Sequence, residues 1–452
     1  MPAKRKSIHG EWSSRLAFIL AATGSAVGLG NIWRFPYVAG ENGGGAFVLV
    51  YLLCVASVGI PVMMAEVMLG RRGRQSPVNT MSTLAEEERS STHWQYLGLM
   101  GMVAGFLILS FYSVVAGWTM AYVFRVASGV FDGATAEQVS GAFTVFVSDP
   151  ERLLGWHTIF MIMTIIVVSR GVKSGLEQAV RFLMPTLFVL LVAMVGYAIS
   201  TGHFSEALAY LFRPDFSRLT GESILAALGQ AFFSLSLGMG AIMIYGSYLS
   251  HTASIPRTAV IIAAMDTSVA LLAGLAIFPI VFANGLEPEL GSGMVFKVLP
   301  IAFGQMPGGT LFGTLFFLLL VFAAWTSAIS LLEPMVTWLV ENRGMNRVMA
   351  AAWSGLAAWS VGVISLLSLN VWSGYTLFGK SFIELVEFIA TNVMLPMGGL
   401  LVAVFAAWVM SRESSQDELH LSGSTYRMWR VLARYVAPVA VAVILLTATG
   451  IL

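Results

Sequence analysis

The 452-residue chain is 57% hydrophobic and only 11% charged, with a mean hydropathy of +0.80 and a formal net charge of +1. A soluble domain carries roughly 25% charged residues, so the composition excludes one and indicates a polytopic membrane protein. The near-zero net charge gives no basis for a nucleic-acid partner. Cys54, the one cysteine, excludes an intrachain disulfide and cysteine-based metal sites.

Eleven apolar runs long enough to cross a hydrocarbon core fall at roughly 14–40, 44–69, 96–127, 155–170, 179–200, 222–250, 257–284, 309–340, 349–368, 382–411 and 430–451. The basic start, Met1 to Lys6, precedes a long apolar segment without a small-residue cleavage site, which predicts a retained first helix rather than a signal peptide. Of the 25 lysines and arginines, only Arg34, Arg125, Arg152, Arg213, Arg218, Lys297 and Lys380 fall opposite the N-terminus. The positive-inside rule then predicts a cytoplasmic N-terminus and an outer C-terminus.

The first span is interrupted by Gly24-Ser25-Ala26-Val27-Gly28-Leu29-Gly30-Asn31. Glycine costs about 1 kcal/mol in a helix interior relative to alanine, and unwound backbone in a bilayer is tolerated only where it is buried in protein or lines a cavity. Gly24 and Gly28 also form a G-x-x-x-G pair, so close helix packing and a binding site both account for the break. A second interruption, Phe233-Ser234-Leu235-Ser236-Leu237-Gly238-Met239-Gly240, comes five spans later. Paired interrupted helices in inverted halves announce transporter sites, and the odd offset makes residues 10–200 and 222–411 two inverted five-helix repeats, with 430–451 an added helix. This pairing favours the binding-site reading.

Ionisable residues inside spans are functional candidates; here they are Glu66, Asp266, Glu333, Glu384 and Glu387. With almost no lysine or arginine at the span centres, carboxylates and exposed backbone carbonyls suggest sodium as their partner. Thr326-Ser327 in the eighth span offers two hydroxyls, which helices commonly satisfy by back-bonding. The segment 285–308, with Pro288, Gly291, Gly293, Pro300, Pro307 and Gly308, reads as an outer loop of short helices able to act as a lid. Ser411 to Ser424 reads as a solvated inner linker. Gly374 to Ser381 satisfies a phosphate-loop pattern but lies between membrane spans, not between a strand and a helix. The histidines show no metal-ligand spacing, and no enzyme constellation stands out.

The motifs GSAVGLGNIWRFP (24–36), ENGGGA (41–46), Pro61 to Gly70 with Glu66, QAFFSLSLGMG (230–240), Asp266 to Pro279, and Trp325-Thr326-Ser327 with Glu333-Pro334 resemble the neurotransmitter:sodium symporters, and among them the bacterial amino-acid transporters. The resemblance implies an all-α fold of eleven transmembrane helices with broken helices 1 and 6, no enzymatic activity, and two sodium ions. One sodium would take the Ala26 carbonyl, Asn31, Ser234, Asp266 and the substrate carboxylate. The other would take the carbonyls of Gly24, Val27 and Ala323 and the hydroxyls of Thr326 and Ser327.

By the same resemblance the substrate carboxylate meets the N–H groups of Leu29 and Gly30 and the Tyr112 hydroxyl, and its ammonium meets carbonyls around Ala26, Phe233 and Ser234, near Ser236 and Ser327. Gly28 stands where monoamine transporters carry an aspartate, which favours a free amino acid. Ile108, Tyr112, Phe233, Met239, Ala328 and Leu331 would form the side-chain pocket; the flexible Met239 replaces a phenylalanine of the leucine transporter and favours large aliphatic and aromatic substrates. Asp266 replaces the asparagine of chloride-dependent relatives, whose chloride positions match Tyr51, Gln230, Ser234 and Ala270, so chloride-independent transport is expected. Arg34 and Glu387 match an outer ion pair, and Trp12, Ser247, Tyr248 and Glu341 an inner gate whose N-terminal arginine falls on His9, with Arg5 or Lys6 as substitutes. Glu66 is expected to brace the broken sixth helix, and Glu333, which replaces a glutamine of the leucine transporter, to be either a solvated inner-pathway carboxylate or a functional one. The resulting expectation is sodium-coupled import of hydrophobic amino acids across a bacterial plasma membrane by rocking of spans 1, 2, 6 and 7. The alternatives are another small substrate, such as a betaine or a small neutral amino acid, and a non-transporting amino-acid sensor.

Overall fold

The computed structural model describes residues 5–286 and 293–448. Nine helices among them are long and apolar enough to cross a membrane: Gly45–Gly73, Thr92–Ala127, Pro150–Ser169, Val172–Ile199, Ile255–Ala283, Gly309–Arg343, Arg347–Leu367, Phe382–Val409 and Gly423–Ala448. A tenth span is the bent pair Arg15–Ala26 and Gly30–Glu41, which turns by 55° at its break. The segment Gly221–Ser234 plus Ala241–Ser247 has halves too short to cross alone, and counting them as one interrupted crossing gives the eleven expected. We number the spans in chain order on that basis.

Helix starts follow their local chemistry. Ser14 caps the first span by accepting from the Ala17 N–H at 3.1 Å, Asn346 caps the ninth by accepting from the Met349 N–H at 2.9 Å, and Pro150 occupies the first turn of the fourth, where its missing N–H costs nothing. The eighth span is the axis of the molecule, with 78% of its most apolar window buried, whereas the eleventh, with 17%, is peripheral. Spans 1 and 6 therefore run through protein rather than lipid, and their irregular backbone is possible only there.

Several expected boundaries move. The fourth span begins at Pro150 and the fifth at Val172, each several residues before the sequence-based start. Between spans 10 and 11 the supposed solvated linker is instead a helix, Arg412–Leu419, that docks on span 2: Ser415 and Glu418 are buried, and Arg71, itself buried, donates from Nε to Glu418 at 2.5 Å. An apolar guanidinium environment requires that partner. Of the expected lid, Met294–Gln305 is helical; Pro288 and Gly291 lie outside the described residues, as do 449–451 at the end of the last span. Glu384 is not deep in a span. It is exposed at the start of span 10, where its carboxylate accepts from the Ser381 N–H at 2.8 Å.

Close approach of spans 2 and 6 depends on glycines, Gly246 against the Val67 backbone and, most tightly, Gly70. A Cβ at Gly70 would lie 1.9 Å from the Met243 carbonyl oxygen. Gly70→Ala is expected to lower stability by at least about 1–3 kcal/mol, the usual overpacking cost. Gly229→Ala, where a Cβ meets nothing within 4 Å, should stay within about 0.5 kcal/mol. Thermal unfolding of both variants in one detergent checks this, and equal midpoints would refute the packing argument.

Candidate functional site

The first break leaves backbone groups that helix geometry would have paired. Val27 turns extended (φ −69°, ψ 108°), and the groups beyond it find side chains instead: the Gly28 N–H donates to Asn31 Oδ1 at 3.1 Å and the Leu29 N–H to the Tyr112 hydroxyl at 3.3 Å. Buried polar backbone demands such substitutes. The chain then resumes as a π-helical turn over Gly30–Arg34, and Gln230 of span 6 donates to the Gly30 carbonyl at 3.2 Å.

The second break is held from span 2. Span 6 stops at Ser234, passes through left-handed backbone at Ser236, Gly238 and Gly240 (φ 54°, 81° and 74°) and restarts at Ala241. Glu66, fully buried, accepts from the Gly238 N–H at 2.5 Å, the bracing role expected of it. A Cβ on Gly238 would sit 2.3 Å from the Leu395 carbonyl oxygen, so only glycine fits. Ser236 ties the two breaks together, its hydroxyl donating to the Ser25 carbonyl at 2.8 Å.

Two oxygen clusters lie beside the breaks. In one, Asn31 donates to Asp266 Oδ1 at 2.7 Å and to Ser234 Oγ at 2.9 Å, and Ser234 donates to Asp266 Oδ2 at 2.5 Å. All three side chains are buried. In the other, Ser327 Oγ is 3.2 Å from the Val27 carbonyl and 3.4 Å from that of Gly24, while Thr326 Oγ1 is 3.1 Å from the Ala323 carbonyl. Span 1 approaches span 8 closely here, because a Cβ on Gly24 would be 3.2 Å from Thr326 Cβ. Thr326 bonds back to carbonyls of its own helix, as expected of such hydroxyls, whereas Ser327 reaches the carbonyls of span 1 instead. The second cluster is an all-oxygen set suited to a hard cation; the first offers the Asp266 and Ser234 oxygens, with Asn31 turning its amide N–H groups to them and its oxygen to the Gly28 N–H. Among the described residues no group of three or more His, Cys, Asp or Glu gathers as a transition-metal site would.

Between the clusters lies a cavity of about 40 Å³, room for only a few waters. Its polar end is made by Ser25, Ala26, Gly28 to Asn31 and Ser234, and its apolar side by Ile108, Phe233, Met239 and Leu331, with Tyr112, Ser236 and Ser327 between them. Sequence reasoning thus placed nearly the whole lining; it omitted Ser25, which donates to Ser330 Oγ at 2.7 Å. Ala328 is fully buried but does not line the cavity, which passes from Ser327 to Leu331 one turn away along the same helix face. Gly28 has no room for a side chain, since a Cβ would lie 2.8 Å from Ser327 Oγ and 3.0 Å from the Tyr112 hydroxyl.

Phe233 and Tyr112 separate this cavity from a vestibule of about 210 Å³ on the side away from the N-terminus. Arg34 and Glu387 both line the vestibule but are not ion-paired, contrary to expectation. The Arg34 guanidinium lies over the Phe233 ring at 4.8 Å, a cation–π contact that takes the place of the carboxylate.

The opposite face is shut. Trp12 is buried, its indole donating to the Tyr245 carbonyl and its N–H to the Tyr248 carbonyl, both at 3.0 Å. His9, not Arg5 or Lys6, meets Glu341, with Nε2 3.0 Å from Oε1. Arg5 instead pairs with Glu87 at 3.0 Å, and Lys6 is exposed. Burial would raise the Glu87 carboxyl, but Arg72 and Arg5 outweigh it and hold Glu87 below its ordinary value. A depressed carboxyl contributes its stability above the unfolded value and loses it as pH falls through the folded one. This pairing therefore persists at neutral pH. Glu333 is not solvated: it is buried, accepts from the Tyr248 hydroxyl at 2.7 Å and pairs with Arg347 at 2.5 Å. Arg347 sits at the start of the next helix, a partner that no local motif announces.

Comparison with known proteins agrees with this architecture. The model of the sodium:neurotransmitter symporter family matches residues 9–134 and 150–450. YhdH, a sodium-dependent transporter of Bacillus subtilis, is 39% identical over 98% of this chain and 98% of its own. A sodium-dependent transporter of Haemophilus influenzae is 33% identical over 96% and 97%. The crystal structure of MhsT in complex with L-phenylalanine superposes with a TM-score of 0.89 at 45% identity, covering 97% of this chain and 99% of that one. The chain thus belongs to the sodium:neurotransmitter symporter family, and it is a multi-pass, sodium-coupled membrane transporter, not an enzyme.

Proposed function

We propose that the protein imports hydrophobic L-amino acids, aliphatic and aromatic, together with two sodium ions and without chloride. The observation that carries this reading is the two-ended cavity: the N–H groups of Leu29 and Gly30 and the Tyr112 hydroxyl, which accepts from the Leu29 N–H, at one end, and Ile108, Phe233, Met239 and Leu331 at the other. An α-amino acid needs both ends. The relative whose structure holds L-phenylalanine supports the aromatic side of the range.

The substrate carboxylate meets the helix N-terminus after the break, where the backbone dipole favours an anion. Asn31, Ser234, Asp266 and the Ala26 carbonyl hold one sodium beside it, so substrate and ion share a boundary and stabilise one another. Gly24, Val27, Ala323, Thr326 and Ser327 hold the second. Asp266 supplies a fixed negative charge where chloride-dependent relatives use an anion, and Ala270 offers no hydroxyl to hold one. The shut inner face and the outer vestibule describe an occluded state reached from outside. Import proceeds by rocking spans 1, 2, 6 and 7 between two inverted five-helix repeats, with the N-terminus in the cytoplasm of a bacterial cell and the C-terminus outside. The gates are Arg34 and Glu387 with the Phe233 and Tyr112 lid, and Trp12, Tyr248 and Glu341 within.

A cavity of about 40 Å³ does not hold a phenylalanine side chain unless Phe233 and Met239 turn aside. A pocket that kept this size would take glycine or alanine, and a substrate panel separates the two readings. In proteoliposomes with an inward sodium gradient, leucine, phenylalanine and tryptophan should accumulate at least tenfold better than glycine, lysine or glutamate, and uptake should survive replacement of chloride by gluconate. Preference for glycine, or collapse in gluconate, would refute the respective part; binding without accumulation would make the protein a sensor. Asp266→Asn should raise the sodium concentration for half-maximal uptake at least tenfold, and an unchanged value would remove Asp266 from the ion site. Met239→Phe should weaken tryptophan binding roughly tenfold or more relative to leucine, an overpacking cost of about 1–3 kcal/mol; an unchanged ratio would show that Met239 does not set the pocket's size.

A further inference from the structure

Six arginines at the N-terminal end of the molecule are ion-paired: Arg5 and Arg72 with Glu87, Arg71 with Glu418, Arg74 with Glu11, Arg181 with Glu177 and Arg347 with Glu333. Among those that are not, four gather between the ends of spans 10 and 11. Arg412, Arg427, Arg430 and Arg434, together with Tyr426 and Tyr435, line a groove of about 390 Å³ between the ends of spans 10 and 11. Among the described residues none of the four forms an ion pair within 4.0 Å, and Glu413 and Asp417 on the neighbouring helix are exposed and unpaired with them.

The groove is built rather than incidental. Tyr426 is 1% exposed and forms its floor, with the Arg412 and Arg430 guanidinium carbons 5.7 and 5.9 Å from its ring centroid and Arg430 Nη1 donating to its hydroxyl at 2.6 Å. Arg434 stacks on Trp408 at 4.0 Å, and its Nε is buried without a partner. Stacking fixes the planes of the guanidinium groups while leaving their edges able to donate, and paired N–H edges match the oxygens of a phosphate.

Its position gives the chemistry of the occupant. The groove lies at the end shared with Arg5 and the inner loops, since Arg72 reaches the Ser414 carbonyl at 3.3 Å on the helix before it. Trp408 and Tyr435 are half exposed there, as aromatic residues are at the headgroup level of a bilayer. Above it the peripheral last span presents Val431, Tyr435 and Val439, four residues apart and exposed, as one apolar stripe. We propose that this groove binds the phosphate headgroup of an anionic phospholipid whose acyl chains lie along that stripe. Basic pockets at a membrane interface attract anionic headgroups. The leaflet follows from the cytoplasmic N-terminus proposed above, but binding itself depends on neither that orientation nor the transported substrate.

Native mass spectrometry of the lipid-stripped full-length chain in neutral detergent tests it, titrating phosphatidylglycerol, phosphatidylcholine and glycerol 3-phosphate. Phosphatidylglycerol should bind at least tenfold more tightly than either of the others. The double variant Arg412→Gln/Arg427→Gln changes only exposed side chains and should weaken phosphatidylglycerol roughly thirtyfold, about fivefold per arginine. The pair Arg213→Gln/Arg218→Gln at the opposite end should leave it unchanged. Equal binding of the two lipids, equal binding of glycerol 3-phosphate, or an undiminished affinity in the first variant would overturn the proposal. Because the readout is bound lipid mass, it stands whether or not the amino-acid panel succeeds.

Discussion

The structure depends on one constraint: backbone that leaves helical geometry inside a bilayer must have every N–H and C=O answered by protein. Each unanswered group costs several kcal/mol in hydrocarbon. At the first break the answers are Asn31 Oδ1 for Gly28, Tyr112 for Leu29, Gln230 for the Gly30 carbonyl, and Ser236 and Ser327 for the carbonyls of Ser25, Gly24 and Val27. Apart from Asn31 these partners come from spans 3, 6 and 8, which is why those spans surround span 1. Carbonyls released from helical pairing are also what a desolvated cation requires, so the fold's local difficulty and the proposed ion binding have a single cause.

The second break extends the argument to a distance. Gly238 can adopt φ 81° and approach the Leu395 carbonyl only as glycine, and its N–H is held by Glu66, a carboxylate buried in span 2. Spans 2 and 6 also meet at Gly70 with no room for a methyl group. Spans 2 and 6 are therefore one packed unit. The shut face depends on contacts of another kind, His9 to Glu341 and Glu333 to Tyr248 and Arg347, which join the N-terminus and span 6 to the eighth span and its neighbour. Under the proposed alternating access, those are the polar contacts that separate when this face opens.

Much of this was legible in the sequence because glycine clusters and span length report directly on backbone geometry. Residues 24–31 and 233–240 announced both breaks, and the family motifs placed almost every side chain that lines the cavity. What stayed hidden was set by side-chain reach across long sequence separations. Motif position put Arg34 opposite Glu387, yet the guanidinium settled on Phe233. Alignment put His9 at the inner latch, where residue type favoured Arg5 or Lys6 as substitutes, yet His9 itself reached Glu341 while Arg5 was taken by Glu87. A polar composition made 411–424 read as linker, because hydropathy cannot show that Arg71 would recruit Glu418 from it.

In the proposed mechanism one broken helix couples amino acid to sodium by placing both at its exposed ends. Equilibrium binding of phenylalanine to the purified protein, measured at limiting and at saturating sodium, with the sodium affinity measured reciprocally, addresses it most directly. Linkage requires the two shifts to be the same factor, and the account predicts that factor to be at least tenfold. Phenylalanine binding of equal strength with and without sodium would contradict it.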